Sequence, residues 1–176
     1  MLEKTDNKTH GIYAMQYGTY LGLLWCAMYA SFLAGFTSIF YTLCFFALYI
    51  SSPFYAAYLT KKYRKEVCND NMPFTQAWSF LFIMYICASL LSAVTQFIYF
   101  RFFDNGYFVQ MIQQMFELLN ATPEISNEMS KEFGNAIDLF AKLSSKDIVF
   151  NFLSSNMMNA TILPPIIALF VKKNKQ

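Results

Sequence analysis

The sequence predicts an all-α membrane protein with four transmembrane helices. The first observation is a run of fifty residues, from Gly11 to Thr60, that contains no charged side chain. The second is the basic cluster that follows it directly, from Lys61 to Lys65. The third is the composition, since 56% of the residues are hydrophobic and only 14% are charged, against roughly 25% charged in soluble domains. These features indicate one membrane domain over residues 1–176.

Two spans and a tight turn account for the uncharged run, because about 20 apolar residues cross a bilayer as a helix. Two further apolar segments follow the basic cluster. The four expected spans are residues 12–34, 39–59, 74–100 and 148–171. Pro164 and Pro165 should bend or break the fourth span, because proline removes an N–H donor and clashes with the preceding turn.

Residues 105–147 are too polar for a span and predict a pair of amphipathic helices between spans three and four. Each helix has an apolar stripe at helical spacing. The stripes are Phe108, Ile112, Met115, Phe116 and Leu119, then Ile125, Met129, Phe133, Ile137 and Phe140. Thr122-Pro123 is expected to start the second helix. Ser144 and Asp147 have the spacing of a capping box for span four.

The distribution of the 13 Lys and Arg residues predicts the orientation. Four spans put both termini on one side, together with the loop 60–73. That side carries nine of the bases, and the other side carries four, namely Arg101 and three in the segment 105–147. Because Lys and Arg concentrate on the cytoplasmic side, we expect both termini in the cytoplasm and the helical pair outside it.

Span one carries a small residue at every fourth position. The series is Ala14, Gly18, Gly22, Cys26, Ala30 and Ala34. Small residues at this spacing let two helix backbones approach closely in lipid, where packing drives association. The series is therefore a helix-packing candidate, either against another span of the same chain or in a homodimer.

Polar side chains inside the spans form a second candidate. They are Ser89, Ser92, Gln96 and Tyr99 in span three, and Asn151, Ser155, Asn156 and Asn159 in span four. Polar groups at membrane depth seek hydrogen-bond partners on other helices. The pattern indicates either interhelical hydrogen bonds or a polar intramembrane site lined by Gln96, Asn156 and Asn159.

Residue types that carry catalysis are scarce. No charged side chain and no histidine lies in the middle of a span, which argues against ion-coupled transport. The single histidine, His10, is expected at the surface. The common catalytic and nucleotide motifs are missing, and the 4 cysteines indicate buried thiols. A net charge of only +2 argues against a nucleic-acid partner. We therefore predict no catalytic residue, no metal and no cofactor.

Four short stretches carry a resemblance to a known family. They are Tyr17 to Leu23, Pro73 to Trp78, Ile98-Tyr99 with Phe103-Asp104, and the apolar end of span four running into Lys172-Lys173. On these residues the chain resembles a family of small bacterial membrane proteins, widespread in Bacteroidetes, that is known as domain of unknown function four-one-nine-nine. The resemblance implies a helical membrane architecture and an inner-membrane location, and it implies no activity.

The leading functional hypothesis is a non-enzymatic inner-membrane protein. Such a protein would lie in the lipid bilayer and act through self-association, or through a membrane or periplasmic protein partner. A small-solute or lipid-handling transporter subunit is the second hypothesis, and an integral membrane enzyme is the third. A polar cavity between spans three and four would favour transport, whereas an exposed apolar face on residues 105–143 would favour a partner.

Overall fold

The computed structural model describes residues 7–104, 106–120, 134–135, 139 and 142–173. Five helices have defined bounds in this part of the chain. They are α1 (Asn7–Gly35), α2 (Ile39–Glu66), α3 (Phe74–Phe102), α4 (Tyr107–Asn120) and α5 (Ser145–Val171). Four of them, α1, α2, α3 and α5, are long and apolar enough to cross a membrane. The predicted all-α fold with four spans is confirmed, and the chain is a multi-pass membrane protein.

Short polar segments start two of the long helices. The Ser38 hydroxyl accepts a hydrogen bond from the Phe40 N–H (3.4 Å) at the start of α2. At the start of α5, the Asp147 carboxylate accepts from the Ser144 N–H (3.1 Å), and the Ser144 hydroxyl accepts from the Asp147 N–H (3.4 Å). This is the predicted capping box, which is thereby confirmed.

The helix α5 continues through Pro164 and Pro165 to Val171. The prolines were expected to bend or break the fourth span, and the structure shows that they do not break it. The rings remove donors at two adjacent positions only, and regular bonding resumes by the helix end, where the Lys172 N–H donates to the Ala168 carbonyl (2.9 Å). Pro164 is also fully buried, so neighbouring helices support the chain at this point.

The central helix of the bundle is α3. It packs against α1 and α5, whereas α2 packs mainly against α1. As a result α2 exposes a long series of large apolar side chains, which suits contact with lipid tails. The series is Ile39, Phe40, Leu43, Phe46, Ile50, Phe54 and Tyr58.

Aromatic side chains close the end of the bundle nearest α4. Phe108, at the start of α4, is buried beside Phe100 (5.5 Å between ring centroids) and Phe36 (6.2 Å). Ile112 packs against the same cluster. The predicted first amphipathic helix thus coincides with α4. The apolar stripe predicted for the second helix lies outside the described residues, as do Thr122-Pro123, so the extracytoplasmic pair stays a prediction.

Candidate functional site

The two glycines of the small-residue series lie directly against α3. A Cβ atom on Gly18 would be 2.7 Å from Cβ of Cys87 and 2.8 Å from the carbonyl oxygen of Met84. A Cβ atom on Gly22 would be 2.9 Å from Cδ2 of Leu91. These distances leave no room for a side chain, so glycine permits the close approach of α1 and α3. The contact lies within one chain.

The rest of the series follows α3 for part of its length. Ala14 is fully buried, and the Cys26 sulfur lies 3.2 Å from the Thr95 hydroxyl oxygen. Ala30 is exposed, and Ala34 is half-buried. Because each step of four residues advances about 400° around a helix, the series rotates out of the contact toward the end of α1.

The three residues of the predicted polar intramembrane site lie in different surroundings. Gln96 is buried, its Nε2 donates to the Ser92 hydroxyl (3.3 Å), and its Oε1 has no partner among the described residues. Asn156 is half-buried, and Asn159 is exposed. Within the described chain, no hydrogen bond joins these three side chains. The polar intramembrane site lined by these three residues stays a prediction.

A row of polar side chains on α5 instead faces outward. Asn151, Ser155 and Asn159 are all exposed and follow one another in steps of four residues. We call these three residues the polar face of α5. The Asn151 amide donates to the Asp147 carbonyl of its own helix (3.0 Å). The polar face therefore carries amide and hydroxyl groups of the kind that form hydrogen bonds between helices. Among the described residues of one chain, no other helix covers it.

The second polar region lies at the end of the bundle that holds Lys61 to Lys65, which we call the basic end. His10 is buried there, with its Nδ1 3.0 Å from the Tyr63 hydroxyl oxygen. The Tyr63 ring stacks on Phe80 (4.2 Å between centroids), and the imidazole packs edge-on against both rings. The prediction of a surface histidine is therefore wrong, because α1 begins at Asn7 and α2 extends to Glu66, so that both helices reach past the expected spans.

An ionic group ties the end of α5 to the loop between α2 and α3. Arg64 Nε donates to Asp70 Oδ1 (2.9 Å), Arg64 also donates to the Val171 carbonyl, and Lys173 pairs with the other Asp70 oxygen. The backbones of Met72 and Lys173 exchange two hydrogen bonds (2.8 and 2.9 Å). Lys173 and Arg64 hold the pKa of the Asp70 carboxyl below its ordinary value of 3.8. This group holds the end of α5 against the loop between α2 and α3.

A cysteine and a glutamate complete the polar contacts of the basic end. The Tyr17 hydroxyl donates to Glu66 (3.2 Å), and the Gln76 amide lies 3.7 Å from the Cys68 sulfur. Burial raises the pKa of the Cys68 thiol, which disfavours the nucleophilic thiolate. In the parts of the chain that the structure describes, no three His, Cys, Asp or Glu side chains come together as a metal site. The contacts described at the basic end are hydrogen bonds and ion pairs.

Comparison with known protein families identifies the family of the chain. The model of a family described as a protein of unknown function (DUF4199) matches residues 16–173. No curated protein and no solved structure matches the chain. The matched range includes the whole of α2, α3, α4 and α5 and most of α1. The family description assigns no activity.

Proposed function

We infer that the chain, which belongs to the DUF4199 family of proteins of unknown function, acts in the membrane through association of its helices with a further membrane-embedded chain, without catalysis of its own. The observation that carries this proposal is the exposed polar face of α5. In hydrocarbon, an amide or hydroxyl without a hydrogen-bond partner costs several kcal/mol on transfer scales. Helix association is the usual way to satisfy such groups at membrane depth.

The depth of the polar face strengthens the argument. The 27 residues of α5 extend about 40 Å, and the hydrocarbon core of a bilayer is about 30 Å thick. Asn159 lies one residue past the middle of Ser145–Val171. A helix centred in the bilayer thus carries this amide near the midplane, where neither water nor headgroups reach it.

The two glycines of the small-residue series on α1 are not available as a surface for association with another chain. Gly18 and Gly22 are buried against α3 in the same chain. The exposed side chains of α2 are mostly apolar and aromatic, so they can lie in contact with lipid tails and need no protein partner. Among the spanning helices that the structure describes, the polar face of α5 therefore offers a surface for a specific contact.

A direct test is the mass of the purified protein in a mild detergent, measured by light scattering with the detergent subtracted. We expect a particle that contains more than one protein chain. A stable particle of one chain would contradict the proposal. That result would instead favour the second candidate, a small-solute or lipid-handling transporter, for which the unpaired and buried Oε1 of Gln96 is the supporting observation.

The proposal also places the protein in the inner (cytoplasmic) membrane of a bacterium, with both termini in the cytoplasm. The support is the exposed row of Lys61, Lys62, Lys65 and Lys172 at the basic end, since such residues concentrate on the cytoplasmic side. Reporter fusions at Gln176 and at Asn127 should report opposite compartments. A cytoplasmic signal from the fusion at Asn127 would contradict this orientation.

A further inference from the structure

We propose that the polar face of α5 is the contact with a second copy of this chain, across a two-fold axis perpendicular to the membrane. This inference rests on the proposed function and names the partner. Asn151, Ser155 and Asn159 of one copy face the same residues of the other. Ile162 and Ile166, which are also exposed, continue the contact toward the basic end.

The chemistry of the polar face matches that of an identical face. The polar face contains no charge, so it calls for no acidic or basic partner. An asparagine amide offers both donors and an acceptor, so two asparagines satisfy each other. The polar face can therefore form hydrogen bonds with the same face of another copy.

The symmetry of insertion also favours a second copy as the partner. Two copies enter the membrane in the same orientation, so their α5 helices are parallel, and a two-fold axis brings each residue to its own counterpart. A second copy therefore presents amides at the depths where amides are needed. An unrelated helix would have to match two asparagines, Asn151 and Asn159, eight positions apart.

The spacing of the polar face along α5 suits a crossing of two identical helices. Steps of four residues advance about 400° per step, so the polar face drifts around α5. Such a drift follows a right-handed helix crossing, which is common where small residues allow close approach. Ser155, between the two asparagines, is the small residue in this row.

Two other occupants fit less well. Lipid tails offer no hydrogen-bond groups to the amides. The segment 121–141 of the same chain carries Glu124, Glu128, Lys131, Glu132 and Asp138. Bringing it to the level of Asn159 would carry these charges into the hydrocarbon, which is costly.

Cysteine crosslinking in intact membranes tests the contact. Ser155→Cys places a thiol in the polar face. Ser51→Cys is the matched control, because Ser51 is also exposed and lies near the middle of α2. The unsubstituted chain serves as the blank for the native cysteines. With copper phenanthroline as oxidant, we expect Ser155→Cys to form a disulfide-linked dimer of twice the chain mass, and Ser51→Cys to remain at the level of the blank.

A second substitution tests the amide itself. Asn159→Leu lies on an exposed position, so the fold should be retained. It should weaken the dimer roughly 3- to 30-fold in Kd, the range that one interhelical hydrogen bond spans. Combined with Ser155→Cys, it should reduce the crosslinked fraction. Equal crosslinking from Ser155→Cys and Ser51→Cys would indicate random collision and would overturn the inference.

The outcomes separate this inference from the proposed function. A multimeric particle that shows no Ser155→Cys crosslink and is unaffected by Asn159→Leu associates elsewhere, so the inference fails and the proposed function stands. A Ser155→Cys crosslink to a chain of different mass has the same consequence. A particle of one chain in both membranes and detergent contradicts both.

Discussion

Gly18→Leu is expected to lower the free energy of unfolding by about 3 kcal/mol, the upper part of the range for overpacking a close contact. The added Cβ alone would approach the Met84 carbonyl oxygen to 2.8 Å and the Cys87 Cβ to 2.7 Å. Both neighbouring atoms lie on or next to the backbone of α3, so they cannot move unless the helix moves. Separation of α1 from α3 also disturbs the central packing of the bundle.

The matched control for this prediction is Gly11→Leu on the same helix. A Cβ atom at Gly11 would have no neighbour within 4 Å. Leucine has a better helix propensity than glycine by about 0.8 kcal/mol, so this variant should be neutral or slightly more stable. Thermal unfolding in detergent measures both. Similar midpoints for Gly18→Leu and Gly11→Leu would contradict the close contact.

Gly22→Leu should have a smaller effect than Gly18→Leu. The nearest atom to a Cβ at Gly22 is Cδ2 of Leu91, at 2.9 Å. This atom is the end of a flexible side chain, which can change rotamer at modest cost. The next atoms, Leu91 Cβ at 3.1 Å and Ala88 Cα at 3.2 Å, lie farther away than the Met84 carbonyl oxygen does from a Cβ at Gly18, so α3 has to shift less.

Tyr63→Ala is expected to lower the free energy of unfolding by about 3–5 kcal/mol, as for other buried aromatic residues. The side chain is fully buried, and its ring stacks on Phe80 at 4.2 Å. Its removal leaves a cavity where α1, α2 and α3 meet, and it leaves His10 Nδ1 without the hydroxyl it contacts.

Two further variants locate the source of this loss. Tyr63→Phe keeps the ring and removes the hydroxyl, so it should cost about 1 kcal/mol, the usual net value of one hydrogen bond. Tyr58→Ala, on the same helix, alters a residue that is 61% exposed, and surface changes rarely exceed about 0.5 kcal/mol. Unfolding by a denaturing detergent measures all three. A loss for Tyr58→Ala equal to that for Tyr63→Ala would contradict the aromatic core at the basic end.

The length and polarity of the segments could be predicted without any structure. A bilayer requires long uncharged helices, and the described part of the chain has four of them because no charge interrupts Gly11 to Thr60 and few interrupt the later spans. The capping box of Ser144 and Asp147 was also predictable, since its partners are only three residues apart. The family membership follows from local patterns of the same kind.

The candidate site could be predicted only in part. The row of Asn151, Ser155 and Asn159 is visible in the sequence, but whether it faces the bundle or the outside depends on the rotation of α5. That rotation is decided by the packing of Ala160, Ile167 and Ala168, which are buried. Gln96 is buried and Asn159 is exposed, and this difference also depends on the rotation of whole helices, which the sequence does not give.

The environment that each segment needs can thus be read from its own residues, because the cost of placing a charge in hydrocarbon depends on that segment alone. The long-range partners could be identified only in the folded helix bundle. Arg64 reaches Val171 across more than a hundred positions, and His10 reaches Tyr63 on another helix. Such pairs depend on the rotation and relative height of whole helices, which are set by many packing contacts at once and leave no periodic mark in the sequence.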